Sequence, residues 1–200
     1  MEKQVARIKD LDLNKRYSYA DYKKWTFEER LELFDGRVHL CDKTTYRIHQ
    51  KVTGNVFANL FNQSIIRQCE IYMLPFDVVL SKNINVKDEE VFTVVQPDIC
   101  IICDPEKLTE AGCTGAPDLI VEIISHSTAK KDYNEKFNLY QENGVKEYWI
   151  INPTLENAVD TYILDNEGVY QLNHQFEKGN GIVTTPLFPD LQLNCSDFFR

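Results

Sequence analysis

Apolar positions recur at helical spacing in three segments of this chain, with short β-like runs between them. Residues 18–33, SYADYKKWTFEERLEL, predict a first helix: Ser18 suits an N-cap, and Tyr19, Tyr22, Trp25 and Leu33 fall on one stripe. Asp35-Gly36 then predicts a turn into a short strand, Arg37 to Leu40. Val52, Val56, Leu60 and Phe61 keep a 3.6-residue period and predict a second helix from about His49 to Gln68. Short β segments follow at Ile71 to Leu74, Asp77 to Leu80, and Val94 to Cys103, the last interrupted by Pro97. Leu119 to Ser125 reads as a buried strand. Ser127 or Thr128 opens a third helix that reaches about Glu142, where Asn143-Gly144 closes it. Tyr148 to Ile151 is a further strand. Residues 158–185 predict a hairpin or meander turning at Asp165 to Gly168, and the partly apolar C-terminal segment is expected to dock. This order predicts an α/β (α+β) class, a mixed β-sheet flanked by helices, over one domain spanning residues 1–200.

One residue disturbs the pattern. Glu122 stands in the middle of Leu-Ile-Val-Glu-Ile-Ile, on the strand face it shares with Asp118, Ile120 and Ile124. Both faces are apolar, and a buried carboxylate must be paired, protonated or bound to a metal. A structural ion pair or a reach to solvent at the strand end is the simplest account. Asp98, however, opens a second apolar run just after Pro97. Two carboxylates on neighbouring strands can share Mg²⁺ or Mn²⁺, a hard ion that takes oxygen ligands. Asp132, Lys136 and Tyr140 stand four residues apart on the third helix, which can carry an ammonium back over the sheet. Two carboxylates, a metal and a lysine suit phosphodiester hydrolysis; a surface pair between Asp132 and Lys136 is the plain alternative.

Composition adds limits. The 200 residues carry 43% hydrophobic and 26% charged positions, ordinary for a globular protein. No window is apolar enough for a membrane span and no secretory leader is visible, so the chain is read as cytoplasmic. The net charge of −9 opposes a general polyanion binder, yet allows a local basic patch or bound metal. The six cysteines are scattered, and Cys100 and Cys103 sit within an apolar strand pattern, so all are read as thiols rather than as zinc or redox ligands.

These residues together resemble a known family. Pro97-Asp98, Val121-Glu122-Ile123, Ser125-x-Ser127-Thr128, Asp132-x-x-x-Lys136-x-x-x-Tyr140 and Gly144-Val145-x-Glu147-Tyr148-Trp149 occur in the order of the Uma2 family, within the PD-(D/E)XK nuclease superfamily. The stretch from Tyr19 to Trp25 with Glu32-Leu33-Phe34-Asp35-Gly36, then His49-Gln50, then Leu187-Phe188-Pro189-Asp190-Leu191, extend the resemblance over nearly the whole chain. It implies a restriction-endonuclease-like core, with Asp98 and Glu122 as metal ligands and Lys136 as the catalytic lysine. Glu32 would correspond to the first-helix acid that completes the metal site. The usual (D/E)-x-K tripeptide would need lysine at position 124, where this chain has Ile124, so the lysine is displaced to the helix. Leu40-Cys41-Asp42 also departs from the family's usual loop.

Lys130, Lys131 and Tyr140 are candidate substrate contacts, a solvated helix end being the alternative for the two lysines. Asp77 is undecided between ligand and structural residue, His49 is read as structural, and His126, Tyr148 and Trp149 as loop and core. The expected activity is metal-dependent hydrolysis of DNA. A scaffold that keeps the fold, or a hydrolase of a small phosphorylated molecule, are the competing readings. A homodimer is expected, since twofold symmetry is the commonest assembly. Gel filtration at high concentration should show a dimer; a clean monomer would remove that expectation.

Overall fold

The computed structural model describes residues 7–41, 46–63, 68–125 and 129–200. One sheet contains β1 (Leu31–Phe34), β2 (Arg37–Leu40), β4 (Asp77–Val79), β5 (Val94–Val95), β7 (Leu108–Thr109) and β8 (Gly112–Thr114), in the order β2-β1-β5-β4-β8-β7. The other contains β3 (Glu70–Met73), β6 (Ile99–Ile102), β9 (Leu119–Ile123), β10 (Glu147–Ile151), β11 (Asn157–Leu164) and β12 (Tyr170–Glu177), in the order β12-β11-β10-β9-β6-β3. The pair β13 (Ile182–Val183) and β14 (Leu193–Asn194) stands apart. The α-helices among the described residues are α1 (Tyr19–Tyr22), α2 (Arg47–Phe61), α3 (Phe137–Asn143) and α4 (Cys195–Phe198).

β9 is the centre of the second sheet. It runs parallel to β10 and antiparallel to β6. A parallel pair needs a crossover, and α3 with the turns before it supplies one. The alternation of β9 divides its side chains as the sequence predicts. Leu119, Val121 and Ile123 join Val52, Val56 and Leu60 of α2 and Phe198 of α4 in one core. Ile120 and Ile124 join a second core with Tyr140, Tyr148, and Val78 and Val95 of the first sheet. Glu122 has the parity of this second group and points into the seam beneath α3.

Several expectations hold. Asn143-Gly144 ends α3, with Gly144 in the left-handed conformation at φ 83°. The turn at Asp165 joins β11 to β12, its side chain accepting from the main-chain N–H groups of Glu167 and Val169 at 2.9 Å each. The C-terminal segment docks through the buried Phe198, and Asn55 of α2 donates to the Phe198 carbonyl at 3.2 Å.

Others are corrected. The first helix ends at Tyr22, one turn after the capping box of Ser18 and Asp21. Tyr22 and Trp25 meet as an aromatic pair 5.6 Å apart, and residues 31–34 are strand. Leu31 and Leu33 pack with Tyr17 and Tyr19, while Phe34 turns to the seam. Glu32 is therefore a strand residue, not a helix residue. α2 stops at Phe61, short of Gln68. β13 leaves the hairpin and pairs with β14. Cys69 and Cys103 form a disulfide joining the start of β3 to the end of β6, whereas Cys100 is a buried thiol. The helix cap assigned to Ser127 or Thr128, and His126, lie outside the described residues. No helix among the described residues is long and apolar enough to cross a membrane.

Glu147, on the face of β10 turned away from Glu122, is fully buried. Trp149 Nε1 donates to its Oε1 at 2.6 Å and the Thr185 hydroxyl to its Oε2. Burial outweighs these two donors and pushes its pKa from 4.5 to about 7. Between these values Glu147 holds a proton in the folded chain and not in the unfolded chain, so its contribution to stability falls as pH rises from 4.5 to 7. Glu147→Gln should remove that slope. In urea titrations its stability relative to wild type should rise by roughly 1 to 3 kcal/mol between pH 4.5 and pH 8. Parallel pH profiles for the two proteins would contradict this.

Candidate active site

Antiparallel pairing of β6 with β9 sets Ile99 opposite Val121, and continuing the ladder sets Asp98 opposite Glu122. Opposed residues of such a pair share a face. Asp98 Oδ2 accepts from the Ile123 main-chain N–H at 2.8 Å, and His49 of α2 approaches the same oxygen at 3.2 Å. Burial disfavours the His49 imidazolium, but the bond to Asp98 and the charges of Asp98 and Asp132 together offset this and raise its pKa. The two strand carboxylates the sequence singled out are thus adjacent and both buried.

Lys136 closes the group. It ends a π-helical turn, Lys131–Lys136, that leads into α3. Its ammonium lies 2.6 Å from Glu122 Oε1 and 3.0 Å from Glu32 Oε1. Tyr140 donates its hydroxyl to the same Glu122 oxygen at 2.7 Å. Glu32 comes from the other sheet. Its Oε1 also accepts from the Gln96 main-chain N–H at 3.0 Å, and its Oε2 pairs with Lys131. Burial would raise the Glu32 pKa, but Lys136 and Lys131 reverse this and hold it at about 2. Glu122 goes the other way. Burial, and the charges of Asp132, Asp98 and Glu32, push it above the ordinary carboxylate range against the pull of Lys136. One ammonium serves two carboxylates and lies nearer Glu122, while Glu32 also has Lys131.

A cavity of about 100 Å³ opens over this group. Asp98, Glu122, Lys136 and Glu32 line it, with Asp132, His49, Arg30, Tyr46 and Gln96. The three expected substrate contacts do not. Tyr140 is fully buried against Glu122, Lys131 is spent on Glu32 and lies over the Phe34 ring, and Lys130 is exposed outside the cavity. Asp77 is structural: it accepts from Tyr22 Oη at 3.1 Å and Gln96 Nε2 at 2.7 Å. These bonds fix the Gln96 amide, whose buried Oε1 has no hydrogen-bond partner among the described residues.

His49 belongs to the site rather than only to its helix. Its signal was its position at the start of α2, which faces the strand ends. Arg30 and Gln96 each stand two residues before an acid, Glu32 and Asp98. Two residues apart means one face only in extended chain, so the helical reading of residues 18–33 hid Arg30.

The chain and its fold match known proteins. The Uma2 family model, described as a putative restriction endonuclease, matches residues 19–196. The chain belongs to the Uma2 family. Uncharacterized protein slr1290 of Synechocystis sp. is 24% identical over 165 residues, covering 80% of this chain and 81% of that one. The crystal structure of a putative nuclease belonging to DUF820 from Anabaena variabilis superposes with a TM-score of 0.68 at 16% identity, covering 92% and 97% of the two chains. That likeness shows a shared fold.

Nucleases of the restriction-endonuclease-like kind to which Uma2 is related generally use divalent metals. Among the described residues, no three His, Cys, Asp or Glu side chains are grouped to hold a metal ion. The donor chemistry nevertheless fits a hard cation. The cavity is lined by four acids, Glu32, Asp98, Glu122 and Asp132, whose carboxylates are hard oxygen donors.

The shared ammonium makes a stability prediction for this Uma2 protein. Lys136→Met leaves Glu32 and Glu122 buried without it and should cost about 3 to 5 kcal/mol in thermal or urea unfolding. Adding Glu122→Gln to Lys136→Met should restore part of that loss. Equal stability of the single variant and wild type would refute the bridge.

Proposed function

We propose that this protein is a divalent-metal-dependent endonuclease that hydrolyses DNA phosphodiester bonds. The observation that carries the reading is the opposition of Asp98 and Glu122 across β6 and β9, in a cavity that also receives the Lys136 ammonium. Asp98 and Glu122 would hold Mg²⁺ or Mn²⁺. Such an ion lowers the pKa of a bound water and offsets phosphate charge.

The chain's own residues do the rest. His49 and the Ile123 N–H hold Asp98 Oδ2, which leaves Oδ1 for the cavity. Lys136 Nζ is the cation nearest Glu122, placed to orient an attacking water or to stabilise charge that develops on the phosphate. Both Glu32 oxygens are engaged by lysines or main chain, so Glu32 serves the site by holding Lys136 in place. This role replaces the metal-ligand role the resemblance implied for it.

Cavity size supports DNA over a small phosphorylated molecule. Sites that enclose a whole small ligand measure about 300 to 1,000 Å³. A cavity of about 100 Å³ admits a phosphate group and leaves the remainder of its molecule outside, as a polymer requires.

Incubated with plasmid DNA and Mg²⁺ or Mn²⁺, the wild-type protein should nick or cut it. Asp98→Asn and Glu122→Gln should each slow cleavage roughly 100-fold or more. Calorimetry in the presence of non-cleavable DNA should show saturable Mn²⁺ binding that both substitutions abolish. A wild-type protein that binds neither metal nor DNA would replace the enzyme by a scaffold that keeps the fold.

A further inference from the structure

Among the described residues, three basic side chains line the cavity: Lys136, His49 and Arg30. Two are committed. Lys136 bridges Glu122 and Glu32, and His49 is held by Asp98. The guanidinium of Arg30 makes no hydrogen bond or ion pair among the described residues, although Arg30 is half-buried. Its backbone is fixed, because its carbonyl accepts from the Cys41 N–H at 3.1 Å and extends the ladder of β1 with β2. The alternation that turns Leu31 and Leu33 into the core with Tyr17 and Tyr19 gives Arg30 the face of Glu32, toward the seam between the sheets.

A half-buried charge with no partner is unfavourable unless something binds it. A guanidinium stays charged at all working pH values, and its planar fork matches two oxygens of one phosphate. We infer that Arg30 is the phosphate-binding residue of this site, gripping the substrate's phosphate at the cavity rim. The inference rests on the hydrolytic reading of the site and adds the residue that recognises the anion. It also answers the net charge of −9: affinity for phosphate is supplied locally, by a cation that no carboxylate among the described residues has claimed.

The test compares wild type, Arg30→Ala, Arg30→Lys and Lys87→Ala, an exposed lysine away from the cavity. Three probes are titrated: a short labelled DNA duplex, a labelled nucleoside monophosphate, and inorganic phosphate followed by thermal shift. Arg30→Ala should weaken duplex binding about tenfold and lower the salt dependence by about one counterion. Arg30→Lys should recover part of this, and Lys87→Ala should change binding less than about twofold. If wild type binds the monophosphate or inorganic phosphate through Arg30 but not the duplex, the inference stands and DNA is the wrong substrate. If wild type binds the duplex and Arg30→Ala binds it equally, with the same salt slope, Arg30 is not the phosphate contact. Failure of wild type to bind any of the three probes also overturns the inference.

Discussion

The Lys136 ammonium between Glu122 and Glu32 is the contact on which the arrangement of this protein turns. Each carboxylate lies in a buried strand of a different sheet. Without a shared cation the two acids would repel across the seam at the cost of two buried charges. With it, the repulsion becomes a clasp. The clasp is not symmetric in its surroundings: Glu32 also holds Lys131, which keeps it ionised, whereas burial and the neighbouring acids push the Glu122 pKa upward.

The two buried glutamates of the second sheet show how environment decides what a carboxylate does. Glu122 on β9 and Glu147 on β10 lie on opposite faces of neighbouring strands. Glu147 meets only neutral donors, from Trp149 and Thr185, in a closed apolar layer. It ties the C-terminal segment to the sheet. Glu122 meets an ammonium, a phenol and a cavity, in company with other acids.

Much of this was legible in the sequence, because the clearest signals were local. The period-two alternation around Glu122 gave its face, and Asn143-Gly144 gave the end of α3. The acid and lysine spacings, read with the Uma2 resemblance, assembled Asp98, Glu122, Glu32 and Lys136 as one group. What stayed hidden depended on packing across distance. Tyr19, Tyr22 and Trp25 imitate a helical stripe, yet they are an aromatic cluster beside a single turn, and the strand after them carries both Glu32 and Arg30. The union of Cys69 with Cys103 left no trace in spacing. The burial of Tyr140 and the capture of Lys131 arise from Glu122 and Glu32, far away in the chain.

That distance has a consequence of its own. Glu32 and Lys131 are 99 residues apart in sequence, and the pair joins an early strand to a late helix. Contacts of such high contact order form only after the intervening chain has been closed into a loop. A nascent chain that has emerged only as far as β9 already holds every carboxylate strand of the centre, but neither lysine. The catalytic geometry proposed above is thus a property of the finished chain alone, and the growing polypeptide passes through synthesis chemically mute.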